Sequence, residues 1–349
     1  MSCQVTVQPS GHTFTVNAGE SILDAALRQG IILPYGCRNG ACGSCMGSVV
    51  EGNVAYEDDE LPPALPDEDA TAGKALFCQA RACSNLTIEV REVDAARDIE
   101  IKTLPCRVDT LEHLAHDVIR IYLKMPATER LQFLAGQYID VLIKDHEPRS
   151  FSIANAPHDD EFIELHIRYV EGGLFTDQVF HHMQEKTLLR IKGPLGTFFL
   201  REDSERPIIL IGGGTGFAPL KGMLEHAFEI GIDRPIHLFR GVRAKRDLYM
   251  DGLPSNWVDT HHDFSYTPVL SDPQPDDAWD GETGFVSDAV ARVYSDLSGH
   301  DIYMSGPPVM VEAGHELFMQ HGLDESRFFS DAFRYAAIAE SIKGLQQDW

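Results

Sequence analysis

The sequence predicts a multidomain protein that combines α+β and α/β folds, from three observations along its 349 residues. First, Cys37, Cys42, Cys45 and Cys78 follow the spacing C-x4-C-x2-C…C in the N-terminal part. Second, short runs of β-branched and aromatic residues then recur between Gly, Pro and Asp clusters, which is typical of an antiparallel barrel. Third, strand and helix patterns alternate around a glycine-rich loop, which indicates an open parallel sheet.

The first block is expected to form a small mixed sheet crossed by one helix. Residues 3–7 and 13–16 alternate apolar and polar side chains around turn residues, which predicts a hairpin. Ser21 is a candidate N-cap before an apolar helical face. Residues 86–90 are predicted to form the last strand of this block.

The second block is predicted to consist of strands, whereas the third is predicted to alternate strands with helices. A charged segment, 92–103, is expected to link the first block to the second. The predicted barrel strands are 118–123, 138–143, 151–153, 163–169 and 188–191. In the third block the predicted strands are 207–211, 236–239, 266–270 and 301–304, and the predicted helices are 220–230, 287–294 and 309–320.

Composition and charge limit the possible partners. The net charge of −25, from 54 acids and 29 bases, argues against nucleic acid and anionic membranes as partners. No apolar run is long enough for a membrane span, and no signal-peptide pattern is visible, so we expect a cytoplasmic protein. The acidic residues at 57–60 and 67–69 form either a solvated loop or a surface that steers a basic redox partner.

The cysteine quartet predicts a [2Fe–2S] cluster of the plant type, which passes one electron at a time. Gly36, Gly40 and Gly43 leave the backbone free to approach, so that its N–H groups can point at the cluster sulfides. The alternative is a zinc site in a non-enzymatic scaffold, although zinc more often takes two C-x2-C pairs. The remaining cysteines are expected to be small buried apolar residues rather than disulfides: Cys3, Cys83 and Cys106.

Longer segments resemble a known family. Residues 1–95 are similar to plant-type ferredoxins, and LAGQYID (134–140), SIANAP (152–157), GPLGTFF (193–199) and FFSDAF (328–333) resemble the ferredoxin–NADP⁺ reductase superfamily. The order of the blocks is that of single-chain NADH-dependent reductases, among them CDP-6-deoxy-3,4-glucoseen reductase and the reductases of phenol hydroxylase and methane monooxygenase. The resemblance implies a β-grasp [2Fe–2S] ferredoxin domain (1–95), a β-barrel FAD domain (100–202), an α/β NAD(P)H domain (203–334) and a tail (335–349).

The resemblance also implies an FAD site. Arg149 is a cation for the flavin pyrophosphate, Phe151 stands in place of the family's Tyr and covers the ring, and Ser152 reaches the flavin N5. A second motif begins a helix whose N–H groups meet the pyrophosphate. The implied FAD-binding residues are Arg149, Ser150, Phe151, Ser152, Gly172, Gly173, Leu174, Phe175 and Thr176.

The nicotinamide site is implied by a glycine-rich loop that follows an apolar strand and precedes a helix. Ser305 stands where the family has Cys, near the nicotinamide, and Asp331 corresponds to an acid that closes over the flavin. Phe333 has the same family role, with core packing as the alternative. The implied binding residues are Gly213, Gly214, Thr215, Gly216, Pro219, Arg243, Gly306, Pro307 and Phe333, and the catalytic candidates are Ser152, Thr215, Ser305 and Asp331.

The implied activity is electron transfer from NADH through FAD to the cluster, and then to a separate protein. A 2′-phosphate would need cations after the second strand, and Arg243, Lys245 and Arg246 are present there. Because relatives that use NADH carry similar basic residues, NADH is expected rather than NADPH. The FFSDAF ending favours a deoxysugar dehydrase as acceptor, and the alternative is the oxygenase component of an aromatic or alkane oxygenase.

Overall fold

The structure is a computed structural model that describes residues 2–333. It divides into two compact units. The first unit contains the residues up to Glu100 together with Gly196–Phe198, and the second contains Ile101–Leu195 and the residues from Phe199 onward. The predicted tail, 335–349, lies outside the described residues. Within residues 2–333, every helix is too short or too polar to cross a bilayer.

The first unit is built around a mixed five-stranded sheet. Its elements are β1 (Cys3–Gln8), β2 (Thr13–Val16), α1 (Ile22–Arg28), β3 (Met46–Glu51), β4 (Val54–Ala55), α2 (Asp67–Thr71), β5 (Lys74–Leu76), β6 (Arg81–Ala82) and β7 (Leu86–Glu89). The strand order is β2-β1-β7-β3-β5, and β4 pairs with β6 separately. The predicted hairpin is confirmed by the antiparallel pairing of β1 and β2. Ser21 caps α1 as expected, because its hydroxyl accepts a hydrogen bond from the Asp24 amide at 3.0 Å.

The second unit begins with an antiparallel barrel. Its elements are β8 (Lys102–Ala115), β9 (Val118–Lys124), β10 (Tyr138–Val141), β11 (Arg149–Ser152), β12 (Ile163–Arg168), α3 (Leu174–His181) and β13 (Leu188–Leu195). The strand order is β11-β10-β13-β8-β9-β12, and a bridge between Ile153 and Leu165 closes the sheet. Strand β8 was not predicted, and its first residues had been placed in the linker. Leu104, Cys106 and Val108 are buried along β8, and they alternate with the exposed residues Thr103, Pro105 and Arg107, because successive side chains of a strand point to opposite faces.

A parallel six-stranded sheet completes the second unit, as the sequence predicts. Its elements are β14 (Ile208–Gly213), α4 (Phe217–Glu229), β15 (Ile236–Val242), α5 (Gly252–Thr260), β16 (Phe264–Leu270), β17 (Glu282–Thr283), α6 (Val286–Val293), β18 (Asp301–Gly306), α7 (Pro308–Gln320) and β19 (Phe328–Ala332). The order is β17-β16-β15-β14-β18-β19, and all pairs are parallel. Since β14 is buried along its whole length, it reads as an unbroken apolar run.

The three cysteines outside the quartet do not share one environment. Cys106 is buried in the barrel core, as predicted. The prediction is wrong for Cys83, which is exposed, and Cys3 is only partly buried. Cys83 directly follows the short strand β6, where the chain turns at the surface and offers no apolar layer to cover the thiol.

Candidate functional site

The loop between α1 and β3 curls so that its amides face inward. Its backbone is left-handed at Arg38 (φ 61°), Gly40 (φ 77°) and Gly43 (φ 75°). A Cβ atom at Gly40 would lie 2.7 Å from Cβ of Pro62, so only glycine fits at this turn. Such a succession of turns creates a concave surface of N–H groups that favours negative charge.

The four predicted cluster ligands meet in this loop as two pairs of thiols. Cys37 is hydrogen-bonded to Cys42, and Cys45 is hydrogen-bonded to Cys78. The charge of Cys42 also acts on Cys45 and Cys78, so the pairs adjoin. Two adjoining pairs provide two ligands for each iron of a [2Fe–2S] cluster, whereas one zinc ion needs its ligands around a single point.

Backbone and thiol hydrogen bonds stabilise one thiolate in each pair. The hydrogen bond from Cys37 lowers the pKa of Cys42 to about 5, and the hydrogen bond from Cys45 lowers the pKa of Cys78. The Ser44 amide donates to Cys42 and the Gly40 amide donates to Cys78, which lowers the pKa of both thiols further. The pKa of Cys37 and that of Cys45 are raised instead, because each thiol donates to its partner cysteine and is buried. Each pair therefore shares one proton, which iron displaces when it binds both sulfurs, and in this sense the residues present fit a [2Fe–2S] cluster.

The predicted flavin residues lie along β11, at one edge of the barrel. Ser152 is buried and Phe151 is half-buried, with its ring centroid 5.4 Å from that of Phe175. Arg149 donates to the Glu147 carbonyl at 2.8 Å, which keeps its guanidinium at the start of the strand. The Ser150 hydroxyl bonds to the Asp140 carboxylate at 2.6 Å, so Ser150 orders the strand pair.

Helix α3 supplies an anion site in the same barrel. It begins after Gly172 (φ 73°) and Gly173. Because the N-cap residue, Gly173, has no side chain, no side chain at this position accepts from the first N–H groups of the helix. Uncapped N–H groups at a helix start bind phosphate well, which fits the pyrophosphate of FAD. The Thr176 hydroxyl bonds to the carbonyls of Val170 at 3.0 Å and Gly173 at 3.1 Å, so this side chain stabilises the loop. Leu174 projects into solvent.

The glycine-rich loop is pressed against β18 at the carboxyl edge of the parallel sheet. A Cβ atom added at Gly216 would lie 2.0 Å from the Ser305 carbonyl oxygen. A Cβ atom added at Gly213 would lie 2.6 Å from the Met310 sulfur. Neither position admits a side chain, and the glycines therefore set how closely the loop approaches β18. Thr215 and Pro219 are buried beside these contacts.

Sheet register and one hydrogen bond bring together three of the four predicted catalytic residues, namely Ser152, Ser305 and Asp331. Ser305 on β18 pairs with Gly212 on one side and with Asp331 on the other. The Ser152 hydroxyl approaches the Asp331 carboxylate at 3.4 Å, so a barrel strand meets the parallel sheet here. The Ser305 hydroxyl is fully buried and makes no hydrogen bond among residues 2–333. A buried polar atom of this kind calls for a partner, and the amide-bearing ring of nicotinamide is a suitable one.

Gly306, Pro307 and Phe333 lie next to Ser305 and Asp331. The Phe333 amide donates to the Gly306 carbonyl at 2.8 Å, and its side chain is half-buried. Pro307 precedes α7 and contacts the position of Gly213, where a Cβ atom would lie 2.9 Å from its ring. The Gly-Pro turn and the glycine loop are thus packed against each other.

Sequence reasoning missed a charged cavity next to the glycine loop. Its volume is about 560 Å³, and it is lined by His116, Arg168, Arg243, Ala244, Arg246, Asp247, Asp272, Gln274 and Asp277. Arg168 Nη1 would lie 2.8 Å from a Cβ atom added at Gly214. The guanidinium of this barrel residue therefore lies next to the glycine loop. The available signal was an arginine at the end of a buried strand, shortly before Gly172.

Comparisons with known families cover all three blocks. Residues 5–83 match the 2Fe-2S iron-sulfur cluster binding domain. Residues 105–200 match the oxidoreductase FAD-binding domain, and residues 210–316 match the oxidoreductase NAD-binding domain. The alternative of a non-enzymatic zinc scaffold is therefore wrong.

Individual relatives extend over nearly the whole chain. The chain is 40% identical over 333 residues to CDP-6-deoxy-L-threo-D-glycero-4-hexulose-3-dehydrase reductase of Yersinia pestis, covering 95% of this chain and 99% of the relative. It is 38% identical over 345 residues to the phenol hydroxylase P5 protein of Acinetobacter pittii, covering 97% and 96%.

A solved structure agrees with these relatives. The cytochrome P450 reductase of Amycolatopsis superposes with a TM-score of 0.77 at 32% identity, covering 95% of this chain and 98% of that chain. The chain therefore belongs to the family of flavin and iron–sulfur oxidoreductases with a [2Fe–2S] domain, an FAD domain and an NAD domain, and it is an electron-transfer reductase.

Proposed function

We propose that the chain takes a hydride from NADH where Ser152, Ser305 and Asp331 meet, and delivers single electrons to a separate acceptor protein. The observation that carries this proposal is the distance of 3.4 Å between the Ser152 hydroxyl and the Asp331 carboxylate. This contact joins β11 of the barrel to β19, the last strand of the parallel sheet. FAD supplies the change from two-electron to one-electron transfer, and the [2Fe–2S] cluster carries single electrons.

The chain's own residues bind and orient in this scheme. Arg149 and the start of α3 hold the FAD pyrophosphate, and Phe151 covers the ring. The glycine loop, with Thr215, Gly306 and Pro307, admits the nicotinamide half of NADH beside Ser305. Ser152 and Asp331 flank the flavin position and exclude water from it. We expect this placement of two reacting rings to be the protein's main contribution to rate.

The choice of NADH is supported by the charges around the cavity. Arg243 lies 3.7 Å from Asp272, and Arg246 lies 3.8 Å from Asp247. Lys245 donates through Nζ to the Asp277 carbonyl at 3.2 Å. Each cation that a 2′-phosphate would need therefore has an acidic residue next to it. A phosphate placed there would face three carboxylates, whereas a ribose hydroxyl would not be repelled.

We expect the variant Asp272→Asn to use NADPH more efficiently. Removing this carboxylate leaves Arg243 available to a 2′-phosphate and removes one repulsive charge, so kcat/KM for NADPH should rise about tenfold relative to NADH. Steady-state reduction of ferricyanide with each nucleotide measures the ratio. Asp276→Asn is the matched control, since Asp276 is an exposed neighbour that does not line the cavity. An unchanged ratio in Asp272→Asn would remove the electrostatic argument for NADH.

The acceptor that we propose is a deoxysugar dehydrase. The supporting relative is named as the reductase of a CDP-6-deoxyhexulose dehydrase and matches over nearly its full length. The second candidate is an oxygenase component, because a phenol hydroxylase protein matches almost equally well. Adding each purified acceptor to the chain with NADH tests the choice. Saturable stimulation by the dehydrase alone supports the proposal, and stimulation by the oxygenase alone contradicts it. A cytoplasmic location remains a prediction.

Docking of the acceptor is proposed to use the acidic segment beside the cluster loop. Residues 57–60 are exposed, and the chain then runs directly into Pro62 and Ala64. Ala64 donates to the Gly40 carbonyl at 3.0 Å, and Pro62 is packed against Gly40. The acidic segment therefore adjoins the residues that cover the cluster, where single electrons would leave.

Reversing the charges at 57–60 to lysine should slow the reduction of cytochrome c, a basic one-electron acceptor, about tenfold at low salt. The difference should shrink at high salt, because exposed charges are screened beyond a Debye length. Glu51→Lys is the control, since Glu51 is exposed at the end of β3 that lies away from Cys45. Equal rates for the reversed and native chains at low salt would exclude this surface.

A further inference from the structure

We propose that Lys221 is a positioning residue for hydride transfer, because it fixes helix α4 against the segment that follows Ser152. This inference rests on the proposed function. Helix α4 begins where the glycine loop ends, so the position of α4 sets the position of that loop. The three residues after β11 form the other side of the contact: Ile153, Ala154 and Asn155.

Lys221 makes three hydrogen bonds from an almost fully buried position. Its Nζ donates to the Ala154 carbonyl at 3.2 Å and to the Glu164 carboxylate at 3.0 Å. The third partner is Glu225, one turn later on α4, which accepts from Nζ at 2.9 Å. The ammonium group has three N–H donors, and all three are used here. Lys221 thus connects the nucleotide-binding helix to two positions of the barrel.

The barrel side of this contact is itself held firmly. Ala154 donates to the Glu164 carbonyl at 2.8 Å, and the Asn155 side chain accepts from the Glu164 amide at 2.9 Å. A Cβ atom at Gly222 would lie 2.7 Å from the Asn155 carbonyl oxygen. Helix α4 therefore touches this segment through backbone as well as through Lys221, and a bulkier residue at Gly222 would separate them.

Other buried groups extend the connection along β12 and into the loop between β15 and α5. His166 bonds to Glu164 through Nε2 at 2.8 Å and to the Tyr249 hydroxyl through Nδ1 at 3.1 Å. Because a carboxylate only accepts, the ring proton lies on Nε2 and Tyr249 donates to Nδ1. Arg120 Nη1 lies 3.8 Å from the same carboxylate. Glu164 is thus surrounded by Lys221, His166 and Arg120.

The charged state of this group is stable around neutral pH. Burial alone would raise the pKa of Glu164, but its hydrogen bonds with His166 and Lys221 outweigh burial and lower the pKa to about 2. Burial would lower the pKa of Lys221, and the charges of Glu164 and Glu225 outweigh it and raise this pKa. Burial lowers the pKa of His166, which keeps the ring neutral.

A buried ion pair is weak evidence for stability, since apolar residues of similar volume stabilise a core as well or better. What distinguishes the buried ion pair from apolar packing is its geometry, because hydrogen bonds fix the relative orientation of the groups that they join and apolar contacts do not. Ala154 lies about 7 Å along the chain from Ser152, and Lys221 lies about 7 Å along the helix from Gly216. Lys221 therefore connects Ser152, a residue of the proposed hydride site, to the glycine loop over a short distance. Small displacements of reacting groups reduce rates strongly.

The test replaces Lys221 by methionine, which keeps the length of the side chain but cannot donate. In anaerobic stopped-flow mixing with NADH, we expect FAD reduction to slow by about ten- to a hundredfold. The Kd for NADH should stay within about twofold, with FAD content and the EPR signal of the reduced cluster unchanged. Hydrogen–deuterium exchange should accelerate in the peptides that cover α4 and 153–155. This second readout does not depend on activity.

Two further variants separate positioning from other effects. The double variant Glu164→Gln/Lys221→Met removes both charges of the Lys221–Glu164 pair, so that only the partly exposed Glu225 loses its partner, and we expect it to remain slow. Lys124→Met is the matched control, because Lys124 forms an exposed ion pair with Glu161 at 3.0 Å and should behave as wild type. A wild-type rate in Lys221→Met, or recovery of the rate in the double variant, would overturn the inference. If the unaltered chain itself fails to reduce FAD with NADH, the proposed function is wrong instead.

Discussion

Replacing Cys78 by alanine is expected to abolish the delivery of single electrons while leaving FAD reducible by NADH. Cys78 is paired with Cys45, and each pair of thiols is proposed to hold one iron. Alanine cannot ligate iron, so one iron would lose half of its protein ligands and the cluster would not assemble. We expect NADH-driven reduction of cytochrome c to fall by more than about a hundredfold.

Two measurements distinguish this loss from general damage. Reduction of ferricyanide, which accepts electrons directly from flavin, should continue in Cys78→Ala because the FAD and NAD domains keep all their residues. Cys83→Ala is the matched control, since Cys83 lies close in sequence but is exposed and outside the quartet. Retention of the cluster's EPR signal in Cys78→Ala, with its loss in Cys83→Ala, would reassign the fourth ligand.

Gly216→Ala is expected to have the second-largest effect, on the nucleotide side. The added Cβ atom would lie 2.0 Å from the Ser305 carbonyl oxygen and 3.0 Å from the Gly306 amide nitrogen. Both are backbone atoms of the turn at the end of β18, so the glycine loop itself must move. Overpacking of this kind costs about 1–3 kcal/mol of stability. We expect kcat/KM for NADH to fall about ten- to a hundredfold.

The control for this variant is Gly252→Ala. Gly252 begins α5, and a Cβ atom there would meet nothing within 4 Å, so the substitution should leave NADH oxidation unchanged. FAD content should stay normal in both variants, because Gly216 lies outside the barrel. If Gly216→Ala oxidised NADH at the native rate, the close packing of the loop on β18 would have no functional importance.

Much of the candidate site could be predicted because its motifs are local in sequence. The quartet loop, the Arg149–Ser152 strand and the glycine loop each place several functional residues within one short segment. Strands β14 and β18 were also predictable, since a strand buried on both faces is a nearly continuous apolar run. The glycine-rich loop after β14 then indicated the edge of the sheet where a nucleotide binds.

The rest depends on contacts between distant segments. Strand β19 was not predicted because most of its residues are only partly buried, and its pairing with β18 is what puts Asp331 beside Ser305. The first residues of β8, Lys102 and Thr103, fall within the predicted linker because they directly follow the charged residues of 92–100 and are not buried. Arg168 and Lys221 carry no recognisable motif, and their roles emerge only where the barrel meets the parallel sheet.

Electrons are proposed to pass from NADH to FAD and then singly through the cysteine quartet to another protein. Anaerobic stopped-flow mixing with NADH, followed by flavin absorbance and by EPR of rapidly frozen samples, tests this path most directly. We predict that the flavin bleaches first, that the signal of a reduced [2Fe–2S] cluster rises next, and that cytochrome c added to the mixture is reduced last. A flavin that bleaches and reduces cytochrome c while the cluster stays oxidised would contradict the account.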